Sequence, residues 1–171
     1  MFFGAPVLGS SRQLSSLRAE EIRHLAFGVG NCMARLQMLS SRDVSGFEIV
    51  TAVHPSAIVS KAAHIGKGTV IAAGAVINPD AKIGRAVIIN TAAIVDHDCL
   101  IADGVHICPG VHLAGKVKVG RAAWVGIGST VIEEMRIGAG AFIGAGSVVV
   151  SPVPARTRVC GVPAKAMKGH V

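Results

Sequence analysis

Between Val53 and Val149 an aliphatic residue stands at every sixth position without a miss. Val53, Val59, Ile65 and Ile71 open a series of seventeen Ile, Val or Leu residues that closes with Ile143 and Val149. An α-helix of period 3.6 would carry such a grid around its axis, so no single buried face could hold it. A strand of period 2 fits inside each six, provided that the chain turns a corner every six residues. The residue two before each member is mostly small or β-branched, as at Ala57, Ala63, Thr69 and Ala75, which suits a crowded corner. The residue after it is often glycine (Gly66, Gly84, Gly120, Gly126, Gly138 and Gly144), where a bend of the backbone is expected. These spacings predict a mainly-β fold, a hexapeptide β-helix. Three short strands make one triangular coil of about 18 residues, and stacked coils form a prism.

The chain divides around that stretch. Residues 1–52 do not follow the period. Leu14, Leu17 and Ile22 suggest a short amphipathic helix, and His24 to Val29 reads as a buried strand ending at Gly30. Asn31 is placed to cap a second helix with Met33, Leu36 and Leu39 on one side, and Gly46 ends it. Phe47 to Val53 reads as extended chain. Strand–helix–strand is the tail of an α/β unit, so residues 1–52 are expected to be a partial α/β segment. Residues 53–151 form the β-helix, and residues 152–171 leave the grid at Pro152, Pro154 and Pro163 as a C-terminal tail crossing the last coils.

Composition narrows the function. No apolar run reaches the ~20 residues that a membrane span needs, and no charged start precedes an apolar segment, so a soluble cytoplasmic protein is expected. Cys32, Cys99, Cys108 and Cys160 form no CxxC pair. They read as buried small hydrophobes, not as a disulfide or zinc framework. The net charge is +7, and the last twenty residues hold Arg156, Arg158, Lys165 and Lys168 without an acid. No aromatic interleaving or nucleic-acid motif accompanies this basic tail. A small phosphorylated ligand is the better partner, and neither nucleic acid nor membrane is expected.

Three histidines, His97, His106 and His112, lie close together in the chain. In a coil of 18, position n sits beneath n+18 at the separation of neighbouring strands, ~4.8 Å. His97 therefore stacks beneath Gly115, where the missing side chain bares a backbone N–H beside the imidazole. That is what a base beside an oxyanion donor requires. Asp98 can fix the imidazole tautomer or be a surface charge, and His97 can equally be a solvated corner histidine. His106 lies half a coil away, on the opposite side of the prism. The two share a site only across an interface between copies, as in a trimer.

The segments Asn90-Thr91-Ala92-Ala93-Ile94-Val95-Asp96-His97-Asp98-Cys99, Gly104-Val105-His106-Ile107-Cys108-Pro109-Gly110 and Leu113-Ala114-Gly115-Lys116 resemble the sialic acid O-acetyltransferase family. That family includes acetyltransferases of UDP-4-amino-sugars and GDP-perosamine in bacterial glycan synthesis. Gly161-Val162-Pro163-Ala164-Lys165 is similar to the tail motif of hexapeptide acyltransferases in general, and His54-Pro55-Ser56-Ala57 matches the start of the family's β-helix. The resemblance covers roughly residues 24–168 and implies a left-handed coil, an exception to the usual right-handed crossover. It also implies acetyl-CoA as co-substrate without a metal, and a homotrimer with active sites between subunits.

Roles follow from the resemblance residue by residue. His97 corresponds to the general base, and Asp98, where relatives often carry Glu, to the acid that orients it. His106 corresponds to a contact to the thioester carbonyl, with the Gly115 amide beside the same group. Asn90 corresponds to a residue that orients the substrate site. Arg156, Arg158 and Lys165 are expected against the CoA phosphates. The acceptor is a nucleotide-linked amino sugar (N-acetylation) or a sialic-acid-like sugar (O-acetylation). Residues 1–50 resemble only the later half of the family's sugar-nucleotide-binding domain. Two rival readings stand beside the resemblance. One is a non-catalytic β-helix trimer. The other is a γ-type carbonic anhydrase with His97, His106 and His112 on zinc.

Overall fold

The computed structural model describes residues 4–167; Lys168, counted in the basic tail, lies outside them. Seventeen two-residue strands run from Ala52–Val53 to Val148–Val149, one for each member of the hexapeptide series, which occupies the second position of every strand. All of them pair in parallel with a shift of 18 residues, as in Ile94 with His112 and Val95 with Leu113. From Ile71 onward the series is buried, and so are the small corner residues Ala75, Ala81, Val87 and Ala93. The first coil has no coil beneath it, and Val53 is accordingly exposed.

The six glycines that follow series members do not bend the chain: none has a positive φ. They are needed because the next coil passes close by. A Cβ on Gly126 would stand 2.6 Å from the Ile143 carbonyl oxygen, and one on Gly84 would stand 2.7 Å from the Asp103 nitrogen. The left-handed turns fall two residues later, at Gly68, Gly104 and Gly110, and also at non-glycine positions including Asp80, Asp98 and Lys116. Six residues per side leave room for one left-handed residue at each corner, and asparagine and aspartate tolerate that conformation better than most.

Three faces result, each with its own chemistry on the outside. The first carries Val70, Ile88, His106, Trp124 and Phe142 in register. The second carries Ile58, Val76, Ile94, His112, Thr130 and Val148. The third carries His64, Lys82, Leu100, Lys118 and Arg136. The tail continues the first face: Arg158–Cys160 pairs with Phe142–Ile143, and Lys165–Ala166 returns antiparallel to it. Cys32, Cys99 and Cys108 are buried as expected, but Cys160 is exposed, because it lies on this tail and not in a coil.

The first fifty residues hold a helix α1 (Leu14–Ala19), a strand β1 (His24–Leu25), a helix α2 (Cys32–Leu39) and a strand β2 (Glu48–Ile49) parallel to β1. The Asn31 carboxamide caps α2, accepting from the Ala34 N–H at 2.9 Å. Three expectations need correction here. Helix α2 ends at Leu39 with Ser40 as its C-cap, well short of Gly46. The strand is two residues long and not buried as a run, with only Phe27 of the segment inside. The inner face of α2 is Cys32, Arg35 and Leu36, while Met33 points outward. A guanidinium takes the central place on that face, which apolar periodicity could not foresee.

Candidate active site

His97 stands on the edge between the second and third faces, just after the strand Ile94–Val95. Its backbone N–H donates to Asp96 Oδ1 at 2.7 Å, and the same oxygen accepts from Asn78 Nδ2 one coil below at 2.8 Å. These two bonds hold the Asp96 carboxyl below the usual carboxylate range. His97 Nδ1 donates to Asp98 Oδ2 at 2.8 Å, which fixes the tautomer and leaves Nε2 as the basic nitrogen. The hydrogen bond to Asp98 is the main reason why His97 titrates above an ordinary imidazole.

Above the ring lies Gly115, as the 18-residue register requires. A Cβ there would come within 2.7 Å of both Cε1 and Nε2 of His97. The Gly115 carbonyl accepts from Glu134, but among the described residues nothing accepts from its N–H. An unpaired backbone donor therefore adjoins the basic nitrogen.

His106 is on the first face, under the N-terminal segment and 7% exposed. Asn90 Nδ2 donates to its Nε2 at 3.2 Å. The orientation of that carboxamide is fixed by its oxygen, which accepts from the Thr91 N–H at 2.8 Å. Nε2 is therefore an acceptor, and the ring proton sits on Nδ1, which points at the Gly30 carbonyl at 3.4 Å. Burial lowers the pKa of His106, a shift opposite to that of His97, and so favours its uncharged ring.

From His106 an aromatic column rises along the first face. Trp124 packs on the imidazole with centroids 4.3 Å apart, and Phe142 stacks over Trp124 at 6.3 Å. The Arg158 guanidinium carbon lies 4.8 Å from the Phe142 centroid. A cavity of about 310 Å³ opens beside the column, lined by Asn90, His106, Trp124, Phe142 and Ile127 among others. Of the three cations expected against the CoA phosphates, Arg158 stands at the far end of the column that begins at His106, over Phe142. Arg156 lines a separate groove with Arg121 and Met33, and Lys165 is exposed on the final strand.

Two half-sites result: His97, Asp98 and Gly115 on an edge, and Asn90, His106 and the aromatic column on the opposite face. His112 is on the second face, so the three histidines do not converge within one chain. The stacking of the column and the parts played by Asp96 and Asn78 are not foreseen from the sequence. The signal was present, since His106, Trp124 and Phe142 are 18 apart. Burial raises the Cys99 thiol to about 11 and the Cys108 thiol to about 12, which leaves neither as a ready nucleophile.

A variant of the perosamine N-acetyltransferase from Caulobacter crescentus, solved with CoA and GDP-perosamine, is 40% identical to this chain. The match covers 97% of this chain and 79% of that one, with a TM-score of 0.95. The chain belongs to the hexapeptide-repeat acetyltransferases of nucleotide-linked amino sugars. The acetyltransferase domain of PglB from Neisseria gonorrhoeae FA1090, solved with acetyl coenzyme A, is 38% identical, covers 98% and 81% of the two chains, and gives a TM-score of 0.93. A UDP-N-acetylbacillosamine N-acetyltransferase from Bacillus subtilis (strain 168) is 49% identical over 45 residues, which are 26% of this chain and 21% of that protein. No protein-family model matches. The fold shared with this acetyltransferase family is the left-handed β-helix.

Replacing Gly115 by alanine tests the register at the edge. The new methyl meets the far end of a side chain and not backbone, so the fold survives while the imidazole is displaced from Asp98. The His97 titration midpoint, followed by NMR, falls in Gly115→Ala with little change in melting temperature. An unmoved midpoint would show that the ring does not lie under Gly115.

Proposed function

We propose that this chain transfers an acetyl group from acetyl-CoA to the amine of a nucleotide-linked amino sugar, with His97 as general base. The observation that carries the reading is the edge itself: a basic Nε2 with its tautomer fixed by Asp98, packed under Gly115, whose N–H has no partner among the described residues. Nε2 takes the proton of the acceptor amine as that nitrogen attacks the thioester carbon. The carbonyl oxygen becomes an oxyanion, which backbone and imidazole N–H donors stabilise. When the C–S bond breaks, the His97 imidazolium returns its proton to the departing thiolate. His106 supplies an uncharged Nδ1–H donor toward the thioester oxygen, the tautomer held by Asn90. Trp124 and Phe142 offer an apolar wall for the pantetheine arm, and Arg158, Arg156 and Lys165 offer cations for the phosphates.

Both half-sites are needed at one thioester, and they lie on opposite sides of the prism. A homotrimer brings them together. The first and second faces are apolar outside, whereas the third carries Lys82, Lys118 and Arg136 and suits solvent. A head-to-tail contact of the first face with the second face of the next copy closes as a ring. It buries both apolar faces and places the His97 edge at the rim beside His106 of the partner. In this reading residues 1–52 contribute the later part of a sugar-nucleotide-binding unit, residues 53–151 the transferase prism and residues 152–171 a tail against CoA. Both co-substrates and the free thiols suit the cytoplasm. No helix among the described residues is long and apolar enough to cross a membrane. The non-catalytic trimer and the γ-type carbonic anhydrase have no observation in their favour.

The decisive assay follows thiol release and N-acetyl product with acetyl-CoA and GDP- or UDP-linked 4-amino sugars. His97→Ala lowers turnover by roughly 10²–10⁴-fold; unchanged turnover would remove His97 as the base. Activity depends on unprotonated His97, so kcat/KM falls as pH drops through its pKa. Asp98→Asn keeps a residue that tolerates the left-handed backbone (φ 59°) while removing the charge. The His97 pKa falls, and the acid limb of the pH profile moves to lower pH. A limb that stays in place would separate Asp98 from the base.

A further inference from the structure

Arg35 is fully buried, yet its partners include no carboxylate. All five guanidinium donors end on backbone carbonyls. Nε donates to Ala86 at 2.7 Å, Nη1 to Val29 at 2.7 Å and Gly30 at 2.9 Å, and Nη2 to Gly104 at 2.9 Å and Val105 at 3.2 Å. The guanidinium is a rigid planar fork with five donors and no acceptor, so this set of acceptors satisfies it completely. Three pieces of chain meet on it: the segment before α2, the corner at Ala86 and the corner one coil above it.

Two of those carbonyls bear on His106. Val105 O belongs to the peptide that leads into His106 and so sets where its backbone stands. Gly30 O is the same oxygen that faces His106 Nδ1. Gly30 directly precedes Asn31, the cap of the helix that carries Arg35, so the arginine reaches back around its own helix start and ties that loop to the prism. At 3.4 Å the bond from Nδ1 to Gly30 is long, and the ring proton is easily shared with an incoming oxygen acceptor. Where the Gly30 carbonyl stands decides the direction in which that proton points.

We propose that Arg35 is a positioning residue for acetyl transfer, which acts through His106: by fixing the Gly30 and Val105 carbonyls it aims the Nδ1–H at the donor thioester. It thereby couples the placement of the N-terminal segment to the donor half of the site. The inference rests on the acetyl-transfer reading for its effect on rate, whereas its effect on the His106 ring does not depend on that reading.

The test uses the full chain with Arg35→Lys, whose ammonium has three donors and no fork. In protein carrying ¹⁵N-labelled histidine, wild-type His106 shows the Nδ1–H tautomer, and Arg35→Lys shifts it toward a mixture of tautomers. In a double-mutant cycle, Arg35→Lys lowers kcat/KM roughly ten- to hundredfold when His106 is present. In a His106→Ala background it adds less than about twofold. A purely structural clamp predicts otherwise: an unchanged tautomer and losses that multiply in both backgrounds would overturn the proposal. If Arg35→Lys does not fold, the wild-type spectrum decides. A single slowly exchanging Nδ1 proton on His106 supports the proposal, and rapid averaging between ring nitrogens overturns it. Absence of acetyl transfer by the wild type would sink the functional reading while leaving the tautomer result to be judged alone.

Discussion

The stacking of each residue over the one 18 before it is the constraint on which everything else in this molecule depends. Coil-to-coil bonds such as Ile94 N–H to Val111 O at 2.8 Å and Lys116 N–H to His97 O at 2.9 Å repeat along the prism. They leave no freedom to slip, because a shift would move every series member out of the core. The same register that buries Val95 over Ile77 also sets Gly115 over His97 and Trp124 over His106. Structure and chemistry thus share one ruler. An insertion of a single residue in a coil would unmake the site and the core together.

The prism separates its tasks by direction. The series positions inside are aliphatic and interchangeable in kind, with small residues such as Ala75, Thr69 and Ser129 buried at the corners, whereas outward positions differ from face to face. The edge holds an exposed imidazole whose pKa is raised chiefly by its hydrogen bond to Asp98, and the opposite face holds a buried one whose pKa is lowered by burial. Two histidines of one chain are thereby driven apart in pKa by burial and by neighbours, the separation that the proposed transfer asks of a base and a neutral donor.

The architecture was legible in the sequence because a coil of three equal sides writes its period directly into the chain. His97 under Gly115 was legible for the same reason. Other features were not. The glycines after series members looked like bends, but sequence alone does not distinguish a glycine that turns from one that another backbone approaches. The left-handed corners were hidden because Asp80, Asp98 and Lys116 stand at some of them in place of glycine. The inner face of α2 was misread because Arg35 is invisible to apolar patterning until five carbonyls 5 to 70 residues away are seen to converge on it. Asn90 with His106 is 16 apart in sequence, off the 18-residue ruler, and the Gly30 contact spans 76 residues. The hand of the coil came from resemblance and could not have come from the period.

The proposed chemistry requires one active site shared between two copies of the chain, with His97 from one and His106 from the next. Co-expression of His97→Ala and His106→Ala chains tests it most directly. Each variant alone is inactive, and every mixed trimer has one interface that joins an intact His97 to an intact His106. Random assembly from equal amounts then restores roughly a quarter of wild-type acetyl transfer, as expected for a closed ring of three. Activity no higher than that of the parent variants, from mixed trimers shown to have formed, would contradict the shared site.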